Sequence, residues 1–372
     1  MAAVNLAEIT PVLNVILAPR IVAQFDQATK LPRLLDAKKE GAVTAFGIKL
    51  RGRTRSGNDT LGAARGDAGG NVINADYGTH IRIQGSVPMA RIISTASVDG
   101  YAETAAAQIG GASVTDLVDD EIMDASRELG EHLGEKLYSG DGTDVDATGG
   151  VVQGIYGLAY ITDNTQIYAG QSPITYPEWQ AVNSTLPWSQ LSFNALTQTL
   201  IADYVAANDE YPTFLVAKAD VVNKLKEIQG AQVTWMRGMH RIGDREVEVG
   251  ASVGLRAIDI DGIPLVEDSR CTANTIYAIN PRFTFLVYRD RFNKHVVSVQ
   301  RTVMNSEGLG DPSTESLRRA LAQVKPLTEG SSRIIPWVNK LAKTGDSSQY
   351  QVGVYVKLEC RKRKSIGKLE LT

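Results

Sequence analysis

The chain has 372 residues, of which 43% are hydrophobic, enough apolar material for a substantial core in one large domain or two to three smaller ones. A formal charge of −3 and a pI near 5.9 argue against a globally basic nucleic-acid-binding protein and confine any DNA contact to a local patch. The two cysteines, Cys271 and Cys360, lack CxxC spacing, which argues against a disulfide framework and suits a reducing cytoplasm. No apolar stretch approaches the roughly 20 residues of a membrane span, and the N-terminus has no basic segment ahead of an apolar one, with Glu8 and Pro11 interrupting it.

Residues 1–42 read as an arm. A short apolar helix over Pro11–Leu17 stops at Pro19, and mixed helix and coil follow to Lys38, Lys39, Glu40 and Gly41. From Val43 to Arg55 the period changes to two: Phe46, Ile48 and Leu50 alternate with Lys49, Arg51, Arg53 and Arg55, so a strand with one strongly basic face is predicted. Ser56–Gly78 holds six glycines and forms a turn-rich tip, and Tyr77–Ile93 returns as a second strand. An isolated two-stranded hairpin is marginal in water, so residues 43–98 need another surface to lie on. A sheet edge within the same chain would supply one. A nucleic-acid arm is a further reading, but no aromatics interleave with the arginines as base stacking requires.

Between Val114 and Tyr138, apolar residues at Val114, Val118, Ile122, Ala125, Leu129, Leu133 and Leu137 recur every three or four positions and line one stripe of a helix. Ser113 and Asp116 suit its first turn, and the helix would span roughly 37 Å. Its polar face carries Asp119, Asp120, Asp124, Glu128, Glu131 and Glu135 against Arg127 and Lys136. Gly130 and Gly134, four apart in the interior, each cost about 1 kcal/mol relative to alanine and mark a face for close packing. A loop of glycine and aspartate, Ser139–Gly150, follows.

The run Glu135-Lys136-Leu137-Tyr138-Ser139-Gly140-Asp141-Gly142-Thr143, with Gly149, Gly150, Val151, Gly154 and Ile155, resembles the end of the spine helix in tailed-bacteriophage major capsid proteins of the Hong Kong 97-like fold. The resemblance implies an α+β chain with an N-terminal arm (1–42), an extended hairpin loop draped over a neighbouring subunit (43–98), a peripheral domain with the spine helix (99–150), an axial domain (151–295) and returning peripheral strands (296–372). An insertion at about 304–349, with a helix over Thr314–Val324, departs from compact members of that family.

Further along the chain, strand-like pieces occupy Val151–Pro187, helices are predicted over Ser192–Ala207 and Val221–Gln229, and a short buried strand over Thr213–Val216. Strands recur in Val247–Val266 and Thr275–Val303, and the segment Ile276–Thr302, ending in Val296–Gln300, resembles the family's passage from axial to peripheral domain. Tyr350–Leu371 alternates again and resembles the closing strand beside the spine helix, with the basic run Arg361–Lys364 read as a solvated face.

The common hydrolase, phosphate-loop, zincin and dinucleotide motifs do not occur in the sequence, and His80, His132, His240 and His295 lack ligand spacing. Asp141, Asp144 and Asp146 hint at a calcium loop, but an EF-hand needs acids at alternate positions and a glutamate at the twelfth, a pattern this stretch does not keep, so a turn is the better reading. The expected function is therefore structural rather than catalytic, with no cofactor and no metal. The resemblance implies a coat protein that self-assembles as hexamers and pentamers into an icosahedral head shell around double-stranded DNA, aided by scaffolding, portal and cement proteins, in the virion and assembled in the host cytoplasm. An encapsulin-like nanocompartment shell is the alternative within that fold, and a calcium-dependent enzyme or adhesin the alternative outside it. No N-terminal maturation cleavage is expected. Lys49 is the only lysine in Val43–Thr95 and lies away from the tip, so no inter-subunit lysine crosslink is expected either. The inter-subunit contact candidates are Lys49, Arg51, Arg53 and Arg55 on the hairpin, docking against the acidic face of a neighbour's helix.

Overall fold

In the computed structural model the described residues are 20–22, 30–40, 45–51, 81–102, 111–145, 149–229, 235–236, 238–242, 245–249, 255–289, 334, 336–341 and 347–372. The long helix runs from Gly111 to Ser139 and buries Ile122, Ala125, Leu129, Leu133 and Leu137, the stripe that its periodicity predicts. It begins earlier than expected, so Ser113 lies inside the helix and is not its cap.

Two larger sheets flank this rod. The five-stranded one is centred on β16 (Ser348–Cys360), which pairs antiparallel with β4 (Ala90–Val98), β14 (Thr284–Tyr288) and β15 (Trp337–Lys340), while β1 (Ala37–Lys39) adds parallel to β14. Val352, Val354, Val356 and Leu358 of β16 are buried in one cluster with the stripe of the helix. Gly353 falls on the other face, where a Cβ would run into the Trp337 ring at 2.6 Å, so only glycine lets that indole lie across the strand.

The six-stranded sheet has the order β11 (Ala257–Ile260), β12 (Ile263–Glu267), β8 (Phe214–Ala217), β13 (Thr275–Ile279), β17 (Ile366–Leu371) and β7 (Val182–Leu186). Its central strands are apolar at nearly every position because both faces are covered. Phe214, Val216, Tyr277 and Ile279 point into the core shared with the long helix; Leu215, Ala217, Ile276 and Ala278 point into a second core. That second core includes Leu196, Leu200 and Tyr204, from a helical run over residues 193–208 with a π-turn at Thr197–Ile201, and Val221 and Leu225 of the helix Ala219–Gln229. The Ser192 hydroxyl caps the first of these helices by accepting from the Ala195 amide at 3.1 Å.

Three two-stranded ribbons complete the described strands: β2 (Ala45–Arg51) with β3 (Ile81–Ser86), β5 (Asp141–Val145) with β6 (Val151–Tyr156), and β9 (Gly238–Ile242) with β10 (Arg245–Val249). Several expectations are corrected here. The strand predicted over Tyr77–Ile93 ends at Ser86, and Ala90–Val98 belongs to the five-stranded sheet, because Val87, Pro88 and Met89 interrupt the ladder. The loop expected at Ser139–Gly150 contains strand β5, and Val151–Pro187 includes the helix Leu158–Thr162. The segment expected to end in coil at Lys38–Gly41 contributes strand β1.

The passage between sheets falls within Ile276–Thr302: the chain leaves the six-stranded sheet after Ile279 and enters the five-stranded one at Thr284, while Val296–Gln300 lies outside the described residues. It returns between Cys360 and Ile366, so Tyr350–Leu371 is two strands in two sheets rather than one closing strand. The two crossings run side by side: Arg361 N donates to Phe283 O at 2.9 Å and Asn280 N to Ser365 O at 3.3 Å. Pro11–Leu17, the turn-rich tip and Thr314–Val324 lie outside the described residues.

Candidate assembly surface

The polar face of the long helix borders a groove of about 940 Å³ whose other walls are β4 and the β5–β6 ribbon. Helical spacing places His132 and Lys136 one turn apart, and Asp144 on β5 reaches both: Oδ2 lies 2.9 Å from His132 Nε2 and Oδ1 3.2 Å from Lys136 Nζ. Partial burial raises the Asp144 pKa, but hydrogen bonds from His132, the Val145 amide and Lys136 outweigh it and hold the carboxyl below its ordinary value. Asp141 accepts from both the amide and the hydroxyl of Thr143, at 2.9 and 2.7 Å, which lowers its pKa. Both carboxylates thus serve the turn and the ribbon; Asp146 lies outside the described residues, among which no cluster of three potential metal ligands occurs.

The Gly-Asp-Gly motif has a packing reason. A Cβ on Gly140 would collide with the Ile155 carbonyl, and one on Gly154 with the Thr143 carbonyl. Gly142 sits at φ +89 with the Tyr156 ring lying across it. The end of the helix and the ribbon therefore meet backbone to backbone.

The acidic candidates divide into two groups. Asp119 pairs with Arg20 at 3.3 Å, Glu128 accepts from the Ser94 hydroxyl at 2.7 Å, and Glu131 meets Arg127 at 3.3 Å and Arg270 at 3.1 Å. These tie the helix to the rest of its own chain. Asp120, Asp124 and Glu135 are exposed. Gly130 and Gly134 are both buried. On the basic side, β2 carries Lys49 opposite Arg82 and Arg51 opposite Ile81; their side chains, and Arg53 and Arg55 altogether, lie outside the described residues.

The basic run Arg361–Lys364 is not a solvated face throughout. Arg363 is fully buried, and its guanidinium donates to the carbonyls of Ile161 at 2.7 Å, Asp163 at 2.7 Å and Gln166 at 3.2 Å. Burial lowers its pKa, and three charge-assisted bonds replace the lost hydration. Nothing local distinguishes Arg363 from its neighbours in the run, since its partners lie about 200 positions away. Sequence reading also passed over Tyr138, whose buried hydroxyl donates to Asp268 Oδ2 at 2.7 Å and locks the end of the helix to the turn after β12.

No family model and no curated protein matches the chain. Among solved structures, a chain of the capsid asymmetric unit of cyanophage A-1(L) is similar at TM-score 0.60 and 18% identity over 91% of both chains. A virus-like particle from Pyrococcus furiosus follows at TM-score 0.47 and 10% identity over 95% of this chain and 97% of that one. The SrpI encapsulin of Synechococcus elongatus PCC 7942 follows at 0.45 and 11% over 91% and 86%. The cyanophage likeness, over a chain with a long helix and two larger sheets, shows that this chain has the Hong Kong 97-like fold.

Proposed function

We propose that the chain is the major capsid protein of a tailed bacteriophage, a structural subunit that self-assembles into an icosahedral head shell around double-stranded DNA. The observation that carries this reading is the likeness to the cyanophage capsid chain over 91% of both molecules, which spans the whole architecture rather than one module. In this assignment the long helix and the five-stranded sheet form the peripheral domain, the six-stranded sheet with its two covering helices forms the axial domain, and β2–β3 is the root of the extended loop. The copies associate as hexamers and pentamers, with scaffolding, portal and cement proteins as partners. Their place is the virion, after assembly in the host cytoplasm.

Electron microscopy of particles carrying this chain tests the reading. Closed icosahedral shells that protect double-stranded DNA from nuclease are expected. Small shells filled with protein cargo would transfer the chain to the nanocompartment class, and a protein that stays monomeric together with its head-assembly partners would sink the shell reading altogether.

A further inference from the structure

Side chains on β16 alternate between two faces. Val354, Val356 and Leu358 turn toward the long helix, so Lys357 and Glu359 turn the other way, yet they are only 2% and 3% exposed. Lys357 meets the Val87 segment, and both side chains line a small cavity with Phe46 at the root of the β2–β3 arm, Phe285 and Val287 of β14 and the Lys38–Glu40 stretch. Lys357 Nζ donates to the Val87 carbonyl at 3.2 Å and pairs with Glu359 Oε2 at 3.3 Å; the other Glu359 oxygen accepts from Arg361 Nε at 2.8 Å. The Arg361 guanidinium lies 5.8 Å from the Phe46 ring and 5.0 Å from the Phe285 ring, and a cavity of about 130 Å³ opens among these groups. One strand thus has an apolar face where the sheet meets the helix and a charged face where it meets the arm.

We propose that this buried charged row is a latch that makes the seat of the β2–β3 arm reversible. Taking an ammonium and a carboxylate out of water carries a penalty that their mutual attraction only partly offsets. When the arm lifts, Lys357 and Glu359 regain water, and this compensates for the packing given up at Phe46 and Val87. An apolar face in the same place would hold the arm down. The latch is a property of the single chain. Its use, letting identical subunits meet their neighbours at unequal angles, is the only part that rests on the shell reading.

Native-state hydrogen exchange on the full chain tests the latch, with the amides of Ala45–Arg51 and Ile81–Val87 as reporters and those of Thr275–Ile279 in β13 as the control. Replacing the row by apolar groups of similar size, K357M/E359L, should slow exchange in the arm by about tenfold, and E359Q, which leaves the ammonium without its counter-charge, should speed it by a similar factor. Unchanged or faster arm exchange in K357M/E359L, with β13 unaltered, would overturn the proposal. Should that variant also lose protection in β13, the wild-type chain decides the matter. The latch requires arm amides to exchange through an opening smaller than global unfolding, and arm amides that exchange only through the global opening would refute it.

Discussion

Arg363 shows how much one side chain can join. Its guanidinium bonds the carbonyls of Ile161, Asp163 and Gln166 from the short connection between β16 and β17, so it ties the crossing between the sheets to the helix Leu158–Thr162 and the loop after it. The three carbonyls need a planar fork with several donors, which a lysine ammonium does not provide. We expect R363K to lower stability by about 2–4 kcal/mol and R363M by more, because methionine removes every one of the three bonds that the guanidinium donates. Denaturant midpoints at constant slope would measure both, and an R363M midpoint within error of wild type would refute this account.

At the scale of elements, the long helix was legible and the ribbon after it was not. Helical periodicity is a local signal, strong over the Val118–Leu137 stripe, whereas Asp141-Gly142-Thr143-Asp144 has turn composition and becomes a strand only because β6 and the helix end pack against it. The backbone contact at Gly154 makes this dependence testable: G154A should cost about 1–3 kcal/mol, the usual range for overpacking against atoms that cannot move aside, and should loosen the β5–β6 amides before those of the helix. A G154A protein with wild-type exchange in the ribbon would show the close approach to be relaxed at no cost.

The hairpin arm leads to a prediction at the same scale. Lys49, Arg51, Arg53 and Arg55 are spaced two apart in the sequence, and like charges so spaced on one face of a strand repel unless a partner neutralises them. Asp120, Asp124 and Glu135 stand exposed on the helix. We expect R51E/R53E/R55E to abolish shells while the monomer stays folded, reversal of the helix acids to restore them in part, and assembly of the wild type to weaken with salt. Each exposed pair contributes only about 0–1 kcal/mol, so the effect depends on repetition across many interfaces. Normal assembly of the triple variant at low and high salt would remove the contact.

Across the whole molecule, burial of weak acids couples stability to pH. Burial pushes the hydroxyls of Tyr138, Tyr168, Tyr204 and Tyr277 up, pushes the Cys271 thiol up, and takes Cys360 to about 11. In the unfolded chain thiols ionise near pH 8.5 and phenols near pH 10. A raised folded pKa contributes stability that is complete below the unfolded value and is lost as pH rises. This contribution should therefore be complete below about pH 8 and be lost progressively from about pH 9 upward. A melting temperature that stays flat from pH 8 to 11 would contradict this.

The sequence by itself determined the rod, its acidic face, the basic strand of the arm and the resemblance that names the fold, because helical and strand periods and a glycine motif are written over neighbouring residues. It also determined the apolar central strands, whose unbroken hydrophobic runs require cover on both faces. Only the tertiary structure decided which strand joined which sheet. It placed Ala90–Val98 beside β16, divided Tyr350–Leu371 between two sheets, and turned the middle of a basic run inward. Strand partners and buried charges are settled by contacts between residues hundreds of positions apart, and a charged residue that will be satisfied by distant carbonyls looks locally the same as one that faces water.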